Sequence, residues 1–305
     1  MSMVTAVRRS LGVKVSLKLA IPVVLLTALA AIIIVTGQTK QMEELTLEKG
    51  KIAAAIGARQ YGDMFDSAID SGLVTVSDVF DRSYAEIKGY DFGDKPKYHT
   101  RYDALTDKSV LVFQDKILEH QDFMFAVGVD ENGYLPTHNS RFQRAVTGDT
   151  QKDLAGNRTK RIFADPVGIA AAKNTQPSLV QVYKRDTGET MWDISSPIFV
   201  KGKHWGGFRV AVSMERIEDR QRTLLLTLFG IFGIFTVVTL GSLFLVLRQA
   251  MGPVIRLTDA ARQIGLGDAL DTPIKPESED EVGQLTKTID RLRLSMKAAM
   301  ARLGH

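Results

Sequence analysis

From Leu224 to Leu247 the chain reads LLLTLFGIFGIFTVVTLGSLFLVL, an unbroken apolar run without a charge. At a rise of ~1.5 Å per residue, a helix of that length crosses a hydrocarbon core of ~30 Å. Arg248 ends the run, and Met251-Gly252-Pro253 is expected to interrupt the helix just beyond it. After that the pattern turns from uniformly apolar to striped. Val254, Leu257, Ala261 and Ile264 recur at alternating three- and four-residue steps, and so do Val282, Leu285, Ile289, Leu292, Met296, Ala299 and Leu303. Such spacing marks heptad a and d seams on two short helices. Gly267-Asp268 breaks the chain between them, and Leu270 and Ile274 are the large apolar residues of a polar connector.

Two short seams joined by a connector bury little within one chain. They close into a parallel four-helix coiled coil when two copies pair. With Pro253 near the start of the first helix, Gly267 after it, and Asp280-Glu281-Val282-Gly283 opening the second, the stretch resembles the HAMP signalling module of bacterial receptors. Leu270 and Ile274 correspond to that module's connector packing residues. The resemblance covers roughly residues 249–303 and implies a homodimer; a generic juxtamembrane helical hairpin is the plainer alternative.

The chain has 305 residues, 45% hydrophobic and 24% charged, with a net charge of +4. That composition belongs to a folded protein. The absence of cysteine excludes disulfides, thiolate metal sites and covalently attached c-type haem. Much of the positive excess lies in the N-terminal tail and the remaining cations are scattered, so no nucleic-acid partner is expected. Residues 1–18 carry Arg8, Arg9, Lys14 and Lys18 and no acid, and Leu19–Gly37 is then apolar, with Pro22 near its basic end. A secretory signal peptide cleaved near Ala28-Leu29-Ala30 is the rival reading. Apolarity continuing through Ile32-Ile33-Ile34-Val35 favours a retained anchor.

The expected layout is a cytoplasmic tail (1–18), a first span (19–37), an outer domain (38–222), a second span (223–247) and the HAMP-like region (248–303). A bacterial inner-membrane protein with both termini cytoplasmic follows from the basic tail. Arg216, Arg220 and Arg222 argue the other way, but long loops are translocated largely regardless of charge. Ala20, Thr27, Ala28 and Ala31 in the first span, and Gly230, Gly233 and Gly241 in the second, permit close helix packing in lipid. Neither interior holds an ionisable residue, so a transport pathway is not expected.

Residues 38–222 suit one domain. Helix is expected from Lys40 to about Ser71, around Val76–Lys88 and over Tyr98–Gln121. Strands Phe125–Asp130 and Tyr134–Asn139 flank Glu131-Asn132-Gly133, a three-residue hairpin loop with glycine third, where positive φ is needed. That register puts Val127 and Val129 with Leu135 and Thr137, and Ala126 and Gly128 with His138, where small neighbours leave room for a pocket. Leu179–Arg185 and Glu189–Ser195 flank Asp186-Thr187-Gly188 in the same way. Val180 and Val182 then share an apolar face with Trp192 and Ile194. Gln181, Tyr183 and Arg185 share the other with Met191, Asp193 and Glu189. After a Lys201–His204 turn, Phe208–Ser213 alternates as a third strand.

Helices followed by a meandering antiparallel sheet between two spans look like a single Cache or PAS-like sensor domain, so the fold class expected is an α+β membrane protein. Gly133-Tyr-Leu-Pro-Thr-His-Asn139, Asn157-Arg-Thr-Lys-Arg-Ile-Phe163 and Arg185-Asp-Thr-Gly-Glu189 are similar to sensor regions of some chemoreceptor-type proteins. Some related sensors carry haem on Cys-x-x-Cys-His; that motif is absent, and no cofactor is expected.

Candidate ligand contacts are His138, Arg161, Tyr183, Arg185, Trp192 and Asp193. Tyr183, Arg185 and Asp193 suit a small polar or anionic ligand, Arg185 supplying a planar donor fork; they equally suit a solvated sheet face. Trp192 reads as core or as a stacking ring. His138 reads as a hydrogen-bonded structural histidine or as a ligand or pH contact. Arg158 and Arg161 sit in a basic loop where anion capture and surface charge are hard to separate. His99, His120, His138 and His204 lack metal-ligand spacing. No catalytic motif is present, so an enzyme is not expected. The chain stops after the second seam, which places the output on another polypeptide, a cytoplasmic kinase, phosphatase or receptor, or marks a truncated receptor. A membrane-anchored adaptor without a sensed ligand is the alternative function.

Overall fold

The computed structural model describes residues 11–89, 95–185 and 188–303. Arg8, Arg9, Asp186 and Thr187, which figure in the sequence argument, lie outside them. Two compact units result, one of Val35–Leu225 and one of Met1–Ile34 with Leu226–His305.

Helix α1, Leu11–Asp70, is continuous, with Pro22 inside it. The expected span and the helix after it are therefore one element. In the Val35–Leu225 unit its buried residues, Ala54, Ala58, Tyr61, Phe65 and Ala68, recur at helical spacing and face the sheet. Close approach explains the glycines on the same face: a Cβ on Gly57 would strike the Phe208 ring, and one on Gly128 of the sheet would strike Tyr61.

The sheet contains β3 (Phe123–Asp130), β6 (Leu179–Lys184), β7 (Thr190–Val200) and β8 (Lys203–Ser213). All pairs are antiparallel, in the order β3-β8-β7-β6. The β7–β8 hairpin turns at Lys201 (φ 49°) and Gly202 (φ 74°), the left-handed pair that matches strand twist. β6 and β7 pair in the expected register, Val180 with Ile194, Gln181 with Asp193, Val182 with Trp192 and Tyr183 with Met191. Burial departs from the simplest expectation of that register. Val180 and Val182 are exposed on the edge strand, whereas Tyr183, Met191 and Asp193 are buried.

One face of the sheet packs on α1 around Trp205, Tyr61, Phe65, Tyr102 and Phe208. Trp205 Nε1 donates to the Val79 carbonyl (2.8 Å), which satisfies its one polar group inside the core. The other face is covered by the segment from Tyr134 to Ala172, through Leu135, Phe142, Phe163 and Ala172.

Three local expectations are corrected. The helix expected at Val76–Lys88 is one turn, α2 (Val76–Val79), with a Thr75–Asp78 capping box. It stops because Asp81 Oδ1 accepts from Ser83 N (3.1 Å) and Ser83 Oγ (2.5 Å), and Tyr84 takes a positive φ of 42°; such local side-chain bonds compete with helix. β1 (Ala85–Glu86) follows and pairs with β2 (Tyr98–His99). The Tyr98–Gln121 helix is in fact β2 and then α3 (Asp103–Ser109) and α4 (Leu111–Ile117). Third, β4 (Tyr134–Leu135) pairs with β5 (Arg161–Ile162), while β3 pairs with β8. Gly133 has the expected positive φ, 81°. The buried Asp130 carboxylate takes both Asn132 N (3.0 Å) and Tyr134 N (2.9 Å), and the two strands enter different sheets.

α5 (Thr150–Gly156) and α6 (Pro166–Ala172) complete the covering segment. α7, Met214–Gly265, begins at the end of β8 and runs through Met251-Gly252-Pro253 without the expected break. A helix-interior proline removes one hydrogen bond at a cost of about 3 kcal/mol, and the helix-forming sequence on both sides outweighs it. α8 spans Glu281–Leu303. Both α1 from Lys18 and α7 are long and apolar enough to cross a membrane.

In the second unit the connector is held to α8. Gly267, at φ 85°, closes the end of α7, its N–H donating to the Ile264 carbonyl (2.9 Å). Asp280 Oδ1 accepts from Val282 N (3.0 Å) and Gly283 N (3.1 Å) at the start of α8. Asp290 Oδ1 accepts from Ile274 N (3.0 Å) and from Arg293 Nε (2.7 Å), and Arg293 Nη1 donates to the Leu270 carbonyl (2.5 Å). Leu257 and Ile264 of the first seam are buried, but Leu285 and Leu292 of the second are 45% and 59% exposed.

Candidate ligand site

The covering segment is folded by backbone pairing across its own base. Lys160 N donates to the Leu135 carbonyl (2.8 Å), Phe163 N to the Gly133 carbonyl (2.8 Å) and Thr159 Oγ1 to the Pro136 carbonyl (3.0 Å). Lys97 Nζ donates to the Thr159 carbonyl (2.8 Å), and Lys160 Nζ pairs with Asp103 (3.2 Å) and Asp107 (2.8 Å). This pinning brings His138 and Arg158 over the sheet face that carries Phe125, Val127, Tyr183, Arg185 and Arg209.

Between them lies a cavity of about 20 Å³, walled by the apolar Phe125, Val127, Leu135, Phe163 and Tyr183 and by the basic His138, Arg158, Arg185 and Arg209. A water needs ~10–15 Å³, so in this conformation the space is closed to anything larger. Arg209 Nε donates to both oxygens of Asp193 (3.0 and 3.3 Å), and its guanidinium stacks near Phe125 and Tyr183. Arg185 Nη1 donates to Glu189 (3.0 Å) and its guanidinium sits 4.2 Å from the Phe142 ring centre. Arg158 lies 5.2 Å from the Phe163 ring centre. All three arginines are at most 4% exposed.

The electrostatics follow from burial. Desolvation holds the His138 imidazole well below its usual range, and the nearby Arg158 and Arg185 push it further down. It is therefore neutral at physiological pH. Burial lowers the proton affinity of Arg209, but Asp193 more than offsets this and the guanidinium stays charged. Arg209 Nη2 and His138 Nδ1 are buried without a hydrogen-bond partner among the described residues. Several guanidinium groups converging on a buried, aromatic-lined space can hold a small anion with planar, charge-assisted hydrogen bonds.

Of the six sequence candidates, the structure brings His138, Tyr183 and Arg185 to the cavity wall. Asp193 stands behind it, 0% exposed, as the partner of Arg209. Arg161 is buried beside it: Nη1 donates to the Leu154 carbonyl (3.0 Å), and the residue lines a separate groove with Lys95 and Lys184. Trp192 is on the opposite face, packed against the α1 core. The expected grouping of His138 with Ala126 and Gly128 is also corrected. His138 packs with Phe125 and Phe142, and Gly128 is small to admit Tyr61. Sequence reasoning missed Arg209 and left Arg158 undecided. The strand alternation did place Arg209 opposite the Phe208-Val210-Val212 core face, and only the covering segment turns that face inward. Among the described residues no group of three or more His, Asp or Glu is arranged to hold a metal ion.

Residues 245–298 match the HAMP domain family, in agreement with the pattern of seams and connector. A HAMP domain beside two long apolar helices marks a membrane protein of signal transduction. No curated protein matches the chain. Among solved structures the chain is similar to the sensor domain of Escherichia coli DcuS, at 17% identity and a TM-score of 0.28, over 38% of this chain and 74% of that one. An extracellular ligand binding receptor from Desulfohalobium retbaense is 17% identical with a TM-score of 0.33, over 61% of this chain but only 25% of its own length. The sensory domain of the Campylobacter jejuni chemoreceptor Tlp3, with isoleucine bound, is 11% identical with a TM-score of 0.29, over 60% and 65% respectively.

Proposed function

We propose that the protein is a homodimeric sensor of the bacterial inner membrane that binds a small anionic molecule outside, in the Arg158–Arg185–Arg209 cavity, and relays its occupancy through α7 to the HAMP domain. The domain from residue 38 to 222 is read as a single Cache or PAS-like sensor, and the N- and C-termini as cytoplasmic. The observation that carries the ligand class is the convergence of three buried guanidinium groups on one closed, aromatic-walled space. The small volume is part of the reading: an occupant larger than a water must widen the cavity, and a ligand shifts such an equilibrium only by binding one state better than the other.

The homodimer and its parallel four-helix coiled coil are supported by apolar surface that a single chain leaves bare. Leu285 and Leu292 are exposed, and a groove of about 880 Å³ runs along Pro253, Leu257, Ile274 and Val282. The seam of a second copy is read as its occupant. The output is read as a separate cytoplasmic kinase, phosphatase or receptor. Full-length protein in nanodiscs, melted against acetate, succinate, phosphate and citrate, tests the sensor. At least one of these anions should raise the melting temperature with concentration, by about 2.7 kcal/mol of stabilisation at a hundredfold excess over Kd, and Arg185→Met should abolish the rise. If none does, the anion-sensor reading fails and the membrane-anchored adaptor replaces it.

A further inference from the structure

Two side chains at the root of α7 reach across the fold to the turn before β3. Arg220 Nη1 lies 2.6 Å from Asp122 Oδ1, and its Nη2 donates to Gln121 Oε1 (3.4 Å). One helical turn earlier, Arg216 Nη1 donates to the Gln121 carbonyl (2.5 Å). Asp122 is 2% exposed, and its own carbonyl accepts from the N–H of Ser213, the last residue of β8 (3.3 Å). The other titratable group facing the carboxylate among the described residues is His120, whose Nδ1 lies 3.6 Å away and accepts from the Asp122 N–H (3.4 Å). The turn before β3, the end of β8 and the first turns of α7 thus form one joint, held by the hydrogen bonds of Arg216, Arg220 and Ser213 and by the Asp122–Arg220 ion pair, in which Oδ1 meets the guanidinium by charge and not through a hydrogen bond. A buried carboxylate resists losing its guanidinium partner, because separation leaves an uncompensated charge.

β3 leaves this joint and carries Phe125 and Val127, two of the apolar walls of the cavity. We infer that the Asp122–Arg220 pair is the coupling contact of the protein: it makes the root of α7 follow β3, so that a change at the cavity wall reaches the helix through this pair. The signal it carries rests on the sensor reading above; the contact itself does not.

Hydrogen exchange on the full-length protein in nanodiscs, without added anion, tests the joint. In Arg220→Gln the amides of Glu218–Leu225 should exchange about tenfold faster, while those of β7 and β8 stay as in the parent. Asp122→Asn should do the same, and Arg220→Lys, which keeps the charge, should restore slow exchange. Arg220 is an exposed side chain, so its variants should fold. The relay is read from disulfide formation between copies of Leu257→Cys, whose rate should change with Arg220→Gln and return with Arg220→Lys. Unchanged exchange at the root of α7, or faster exchange spread evenly over β3, β7 and β8 with a fall in melting temperature, overturns the proposal. An anion screen without a hit removes the ligand reading but leaves the exchange result to decide the joint.

Discussion

Asp193 and Arg209 hold each other in the sheet interior, so a change to either is felt through the charge it strands. Asp193→Ala leaves a buried guanidinium uncompensated and should cost about 3–5 kcal/mol, read as a lower denaturant midpoint. Asp193→Leu combined with Arg209→Met should recover much of that loss while removing anion binding. His138 makes a pH prediction. Its folded pKa is depressed, so the unfolded chain binds the extra proton first, and stability present above pH ~6.5 is lost as pH falls below it. His138→Gln should flatten the part of the stability–pH curve just below that pH, and an unchanged slope would show that His138 does not titrate on unfolding. Residue types alone made Tyr183, Arg185 and His138 visible as site candidates. Arg209 was not, because an arginine alternating with valines reads equally well as a solvated face, and only the loop folded over that face from Tyr134 to Ala172 desolvates it.

At the scale of elements, close approach of α1 to the sheet depends on glycine. Gly57→Ala puts a methyl into the Phe208 ring, and such overpacking should cost about 1–3 kcal/mol, seen as a lower melting temperature of the whole chain. In the HAMP connector, Gly267 stops α7 at φ 85°, and alanine there should destabilise by about 1 kcal/mol, measurable as a shifted melt of the unit that holds the HAMP domain. Regular alternation and long apolar runs are legible: the β6–β7 register and the long helices stand where periodicity puts them, while of the two seams the first has Leu257 and Ile264 buried and the second leaves Leu285 and Leu292 exposed. Short elements did not. The helix expected after Val76 was cut to a single turn by the Asp81 side chain, and β4 was taken from β3 by the Asp130 carboxylate. Both decisions are made by one polar group competing for backbone, which no periodicity registers.

For the molecule as a whole, pairing is the quantity to measure. The chain has no cysteine, so Val254→Cys and Leu257→Cys should give disulfide-linked dimers in native membranes; absence of both would leave the exposed seam residues of α8 without the proposed partner. The sequence by itself determined the two apolar helices, the HAMP region and the antiparallel character of the four-stranded sheet, because each is written as a repeat that the backbone reads locally. Tertiary structure alone decided that a polar strand face lies under a loop, that Trp192 faces α1, and that Arg158, Arg185 and Arg209 meet. Those outcomes depend on which distant segment covers a surface, and burial, the property that turns a row of arginines into the proposed binding site, is not a property of any one stretch of chain.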